Sequence, residues 1–284
     1  MNAQMQGQKT LEDIYRRQGY LATQGKIFSQ LIQQEPKEYS ALLRDLMIQS
    51  EMGNRKAQMT LGQLAIRSTH FEKKIGRVPA GGDRVAQRHW WDGYQEATRA
   101  ISSHPSFVLG LARGHTGWTH WFTYQFMHSG FIHIIGNMFF LLLFGSVLEP
   151  LIGGLAIFCL YLLSGASGAA LFLGLAAETT APLIGASGAV SGLMACFALI
   201  YWNRPVRFFY WLLPIRSYMG FIFLPAWVVL IMWVLSDIAG YWSGLAEIGG
   251  VAYTAHLGGT ITGLAVGWLI KSHHRFSEKS LVAR

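Results

Sequence analysis

Between residues 121 and 270 the chain carries seven charged side chains in all: Glu149, Glu178, Arg204, Arg207, Arg216, Asp237 and Glu247. A stretch that long with so few ions cannot clothe a soluble domain. Helices in a bilayer, which satisfy every backbone N–H and C=O internally, are the fold such a stretch permits. The first 120 residues differ sharply, with 16 Lys/Arg and 10 Asp/Glu. The chain is therefore two regions joined end to end, one polar and one apolar. Overall, 51% of residues are apolar and 13% charged, against a usual charged share of roughly 25%. That balance excludes a disordered chain, which needs low hydrophobicity and high charge. The net charge of +8 could point to nucleic acid, but only if the charges formed a patch.

The polar region reads as helical and amphipathic over residues 10–68, with Leu42-Leu43-Leu46-Met47 and Leu61-Leu64-Ala65 at helix spacing. Pro36 and Gly53 divide it into three helices. Residues 78–83 read as a linker, with a further helix over 83–100. Trp90, Trp91 and Tyr94 are expected to form a packing face rather than a membrane-interface anchor. No export signal opens the sequence.

Five stretches of the apolar region are candidate spans: 130–148, 154–177, 187–202, 219–239 and 255–270. The third and fifth are short and Gly-rich, as expected inside a bundle, and Gly259, Gly263 and Gly267 recur at every fourth position. Arg204, Arg207 and Arg216 follow the third span; Lys271, Arg275, Lys279 and Arg284 follow the fifth. By the positive-inside rule the 203–218 loop and the C-terminus face the cytoplasm, and the loops at 178–186 and 240–254 face outside. The terminal basic cluster at 271–284 reads as an anchor on anionic lipid, with no nucleic-acid partner. Cys159 and Cys196 fall within spans and read as small packing residues.

Polar groups at membrane depth are costly and mark function. The first span has His128, His133 and Asn137, the last two on one helix face. Ser187 lies in Gly185-Ala186-Ser187-Gly188, and His256 opens the fifth span. By the topology above, all sit near the outer ends of their helices. This is an inventory for acyl transfer: a serine, a base for its proton, and donors for an oxyanion.

The motifs His128-x4-His133-x3-Asn137, Gly185-Ala186-Ser187-Gly188 and Ala255-His256-x2-Gly259-x3-Gly263 resemble those of rhomboid intramembrane serine proteases. Gly145 followed by Glu149 is similar as well. The resemblance covers about residues 118–270. It implies an all-α, polytopic membrane helical bundle with five visible spans, preceded by a polar helical region at 1–117 and followed by a basic tail at 273–284. It further implies an intramembrane serine endopeptidase with a Ser187–His256 dyad and no third catalytic carboxylate, and the residues themselves call for no cofactor and no metal. His133, Asn137 and the Ser187 N–H form the oxyanion hole, supported by His128, Gly185 and Gly188. The implied substrates are transmembrane or membrane-tethered proteins, and the implied location is a bacterial inner membrane with a cytoplasmic C-terminus. A rhomboid-like protein that binds transmembrane helices without cutting them is the alternative.

Three departures stand out. Thr119-His120 replaces the family's Trp-Arg, Ser191 replaces an aromatic that stacks on the base, and residues 1–120 hold no span. A first helix preceding Met1 is expected, making the polar region an enlarged outer loop; a true five-span protein with inverted or unusual insertion is the alternative. Other assignments compete. Gly165-Ala166-Ser167-Gly168 repeats the serine motif, but Ser167 falls near mid-span. Ser191 reads as a helix-bonding serine. A zinc site from His120, His128 and His133 lacks the His-Glu-x-x-His spacing. His115, His120, His273 and His274 read as surface residues, and Asp237 and Glu247 as loop or helix-end polarity rather than partners of His256.

Overall fold

The structure is a computed structural model that describes residues 18–68, 71, 74, 84–112, 117–175, 181–211, 219–243 and 251–274. Glu178, Arg216, Glu247, His115, the 78–83 linker and the tail beyond residue 274 lie outside the described residues, as do the side chains of His273 and His274. The chain divides into two compact units, one of residues 1–127, 175–184 and 242–251, the other of residues 128–174, 185–241 and 252–284.

In the first unit, α1 (Gln18–Gln34), α2 (Ala41–Glu51) and α3 (Arg55–Arg67) are separated where Pro36 and Gly53 interrupt the pattern. Ser40 caps α2 by accepting from the Leu43 N–H, and Asn54 caps α3 by accepting from Lys56 and Ala57. Such caps satisfy donors that a helix start otherwise leaves unpaired. α1 and α3 meet at glycines: a Cβ on Gly25 would lie 1.8 Å from the Gln58 carbonyl oxygen. α4 (Arg84–Ser102) follows, with Trp90 and Tyr94 buried among Phe28, Leu31 and Phe71. Trp90 donates its indole N–H to Gln24 Oε1 at 2.7 Å. This pair is core, as expected, while Trp91 keeps 39% of its surface exposed. Short helices α5 (Pro105–Val108) and α6 (His120–Thr123) complete this part of the chain.

The second unit holds α7 (Phe131–Ile152), α8 (Gly154–Leu175), α9 (Ser187–Ile200), α10 (Ala226–Trp242) and α11 (Tyr253–His274). α7 and α8, of 22 residues each, are long and apolar enough to cross a membrane, and their faces expose Phe131, Ile132, Leu142, Leu155 and Leu163. Exposed apolar faces of that size suit lipid rather than water. Of the five expected spans these two meet the length and hydropathy required. α9 and α10 are apolar but shorter, and the five-span count is not established.

α9 is the central helix, with twelve of its fourteen residues buried. α11 lies against it along a seam of small residues, where a Cβ on Gly259 would fall 1.8 Å from the Gly188 oxygen and one on Gly263 2.0 Å from that of Gly192. Backbones approach this closely only where side chains are missing. Cys196 is buried in the same core, whereas Cys159 is exposed on α8; both are free thiols.

The all-α expectation and the expected span over 219–239 need correction. Residues Pro205–Trp211 (β1) and Met219–Pro225 (β2) form an antiparallel hairpin, with Val206 opposite Leu224 and Phe208 opposite Ile222. Aromatic and β-branched residues favour a pleated strand, and proline fits poorly inside a helix. The helix therefore starts after Pro225. The Arg207 guanidinium sits 3.5 Å from the centre of the Phe221 ring, a cation–π contact across the hairpin.

Candidate active site

His133 and Ser187 of the second unit meet beside Gly185 at the start of α9. Gly185 has φ +117, a left-handed conformation that L side chains rarely adopt. A Cβ there would also lie 2.9 Å from Cε1 and Nε2 of His133 and 3.8 Å from Ser187 Oγ. Glycine thus lets the α9 entry run directly beside the His133 ring. Ala186 precedes the helix, and Ser187 is its first residue, half-buried.

His133 is oriented from behind. The Ser129 N–H donates to Nδ1 at 3.3 Å, and Ser129 Oγ lies 3.0 Å from the same nitrogen. With Nδ1 accepting, the neutral ring carries its proton on Nε2, the nitrogen nearest Gly185. His128 packs edge-on against His133, with ring centres 5.0 Å apart. Asn137 is buried and donates one amide N–H to the His133 carbonyl at 2.9 Å, which ties its side chain to the α7 backbone. The other N–H of that amide remains available.

His256 is held by α10. Its Nδ1 lies 2.9 Å from Asp237 Oδ1, and both side chains are buried. Trp233, one turn earlier on α10, lies against the imidazole with ring centres 5.5 Å apart and planes 36° from parallel. Tyr253 approaches the ring edge-on at 6.4 Å. The Trp233 indole N–H donates to Ser191 Oγ at 3.2 Å, and Ser191 in turn donates to the Ser187 carbonyl at 2.8 Å. Ser191 therefore bonds its own helix as expected, and it also receives the indole. Among the described residues, Ser187 and His256 share no direct hydrogen bond.

Reading Asp237 as helix-end polarity is corrected by this arrangement. The signal was available, since Asp237 is the one charged residue of α10, and an acid in so apolar a helix requires a partner. Trp233 carried no such signal. Ser167, in the duplicated motif, lies 3.0 Å from the carbonyl oxygens of both Ser164 and Gly258 and accepts a bond from Thr262. It ties α8 to α11 and faces no imidazole among these contacts. The ring nitrogens of His120 lie 3.3 Å from the Gly117 oxygen and 3.1 Å from that of Val108. No group of three metal-binding side chains occurs among the described residues.

A helical membrane domain with a serine opening its central helix and a clamped histidine on the adjoining one defines the class of protein. The rhomboid domain family matches residues 115–273. The chain belongs to the rhomboid family.

Among its relatives, the mitochondrial rhomboid protein 1 of Saccharomyces cerevisiae is 30% identical over 149 residues, 51% of this chain and 40% of that protein. Rhomboid-type serine protease 2 of Emericella nidulans is 30% identical over 185 residues, 64% of this chain and 33% of that protein. The chloroplastic rhomboid-like protein 11 of Arabidopsis thaliana is 29% identical over 162 residues, 57% of this chain and 56% of that protein. The chain thus spans between a third and just over half of these relatives' lengths. One of these relatives is named as a serine protease. The mitochondrial and chloroplastic names of two of them lend no support to a bacterial inner membrane.

Proposed function

We propose that the protein is an intramembrane serine endopeptidase that cleaves transmembrane or membrane-tethered proteins. The observation that carries this reading is the convergence at Gly185 of the Ser187 hydroxyl and the His133 Nε2. A nucleophile and an oxyanion donor thus share one small space, beside the helix that bears His256. With Nδ1 of His256 donating to Asp237, its Nε2 is free to accept a proton.

In this mechanism Ser187 Oγ attacks the scissile carbonyl carbon, its proton passes to His256 Nε2, and the carbonyl π electrons move onto oxygen. That oxyanion is met by the His133 Nε2–H, the free Asn137 amide N–H and the Ser187 backbone N–H. Collapse breaks the C–N bond, and His256 returns the proton to the leaving amine. A water then repeats the sequence on the acyl-enzyme and restores Ser187. His128 supports His133, while Gly185 and Gly188 keep the approach open. The polar helical region at 1–117 is read as an accessory module, and the helix ends bearing Ser187 and His256 as opening to the outer face.

A fluorophosphonate probe tests this reading on full-length protein in liposomes. Labelling of wild type but not of Ser187→Ala is expected. Absence of labelling in folded wild type would support instead a rhomboid-like protein that binds transmembrane helices.

A further inference from the structure

We infer that Asp237 is a positioning residue for the base, the carboxylate of a serine–histidine–aspartate arrangement supplied by α10. The inference rests on the Ser187–His256 reading above. Three observations carry it. First, Asp237 Oδ1 is 2.9 Å from His256 Nδ1, with Asp237 2% and His256 7% exposed. Second, Asp237 Oδ2 has no partner among the described residues. Burial of this carboxylate in an apolar helix is therefore answered by the imidazole. A buried carboxylate without a compensating group is strongly disfavoured. Third, Trp233 and Asp237 lie one turn apart on the same face of α10, so a single helix sets a tilted indole against the ring and bonds its Nδ1 edge.

The chemical consequence follows from the tautomer. An Nδ1–H donated to Asp237 leaves the Nε2 lone pair as the acceptor for the Ser187 proton. When that proton arrives, the ring becomes cationic while the carboxylate stays ionised and takes no proton itself. The attraction between the two grows in the transition state, so it lowers the barrier to attack more than it aids ground-state binding. A purely structural ion pair would carry no such bias.

Labelling kinetics separate the two roles. Full-length wild type, Ser187→Ala, Asp237→Asn and Asp237→Glu are reconstituted in liposomes. Fluorophosphonate labelling is resolved into the maximal inactivation rate and the half-saturating probe concentration, and folding is checked by thermal unfolding. Asp237→Asn is expected to lower the maximal rate roughly 10²- to 10⁴-fold. Its half-saturating concentration should stay within about threefold of wild type. Asp237→Glu, which keeps the charge, should recover at least tenfold of that loss.

A folded Asp237→Asn that labels within threefold of wild type overturns the inference. So does an equal loss in the Asn and Glu variants. If Asp237→Asn does not fold, Asp237→Glu decides: a maximal rate within about tenfold of wild type supports the role, and loss to the Ser187→Ala level refutes it. Wild type no faster than Ser187→Ala would refute the serine–histidine reading itself, a result distinct from an active enzyme indifferent to Asp237.

Discussion

Replacing Gly259 by alanine adds one methyl group at the point where the site is most sensitive to it. The new Cβ would lie 1.8 Å from the Gly188 carbonyl oxygen, and real Cβ atoms essentially never approach within 3.0 Å. The helices must therefore separate by at least 1.2 Å, the difference between those distances. No flexible side chain can absorb this, because the obstacle is backbone. Gly188 directly follows Ser187, and Gly259 lies three residues after His256, so the separation falls between the two residues proposed as nucleophile and base. A misplacement of about 1 Å costs about 10²-fold in rate. Overfilling a core costs about 1–3 kcal/mol, offset by the roughly 1 kcal/mol that alanine gains over glycine in a helix. The net prediction is a modest loss of stability, about 0–2 kcal/mol, with a disproportionate loss of activity of about 100-fold.

Gly136→Ala is the stability control, since no atom lies within 4 Å of a Cβ at that position on α7. It should unfold at the same or a higher midpoint. Thermal unfolding in detergent micelles and fluorophosphonate labelling of the same samples measure the two quantities. If Gly259→Ala labels within threefold of wild type, the close approach of α9 and α11 does not set the site's geometry, and the reasoning fails.

Three further outcomes follow from individual contacts. Ser167→Ala should lower stability by about 1 kcal/mol through its lost bonds and leave fluorophosphonate labelling intact; abolished labelling there would exchange the roles of the two serine motifs. Gly185→Ala combines a strained φ with a contact on the His133 ring, so labelling should fall at least tenfold in protein that still folds, and an unaffected rate would dissociate His133 from the site. In the first unit, burial pushes the Tyr20 hydroxyl well above its usual pKa, with Tyr94 and Glu96 adding to the shift. Its folded form thus favours the neutral phenol, a stability present below the ordinary tyrosine value of about 10 and lost as pH rises above it. Thermal melts from pH 8 to 11 should therefore fall more steeply for wild type than for Tyr20→Phe, and parallel slopes would refute that assignment.

What the sequence disclosed, and what it hid, divides along a physical line. Local signals survived: Pro36 and Gly53 ended helices because they act on their own backbone. The spacing of His133 and Asn137 set both on α7. The start of α10 was misjudged because hydropathy alone cannot tell an apolar strand from an apolar helix. Met219–Pro225 is as greasy as the helix behind it, and Pro225 was the punctuation to heed. Asp237 was misread because its meaning is non-local, resting on an imidazole 19 residues away.

The departures around the base are physically linked. Position 191, where the resemblance implies a stacking aromatic, carries a serine that is fully buried. Trp233 lies against the His256 ring from α10, and its indole N–H, costly to bury unpaired, finds an acceptor in the Ser191 hydroxyl. One turn further along α10 comes Asp237, at bonding distance from Nδ1. Both contacts that hold His256 on this side thus come from α10. An aromatic restored at position 191 would compete with Trp233 for the ring face and push α10, with its carboxylate, away from His256.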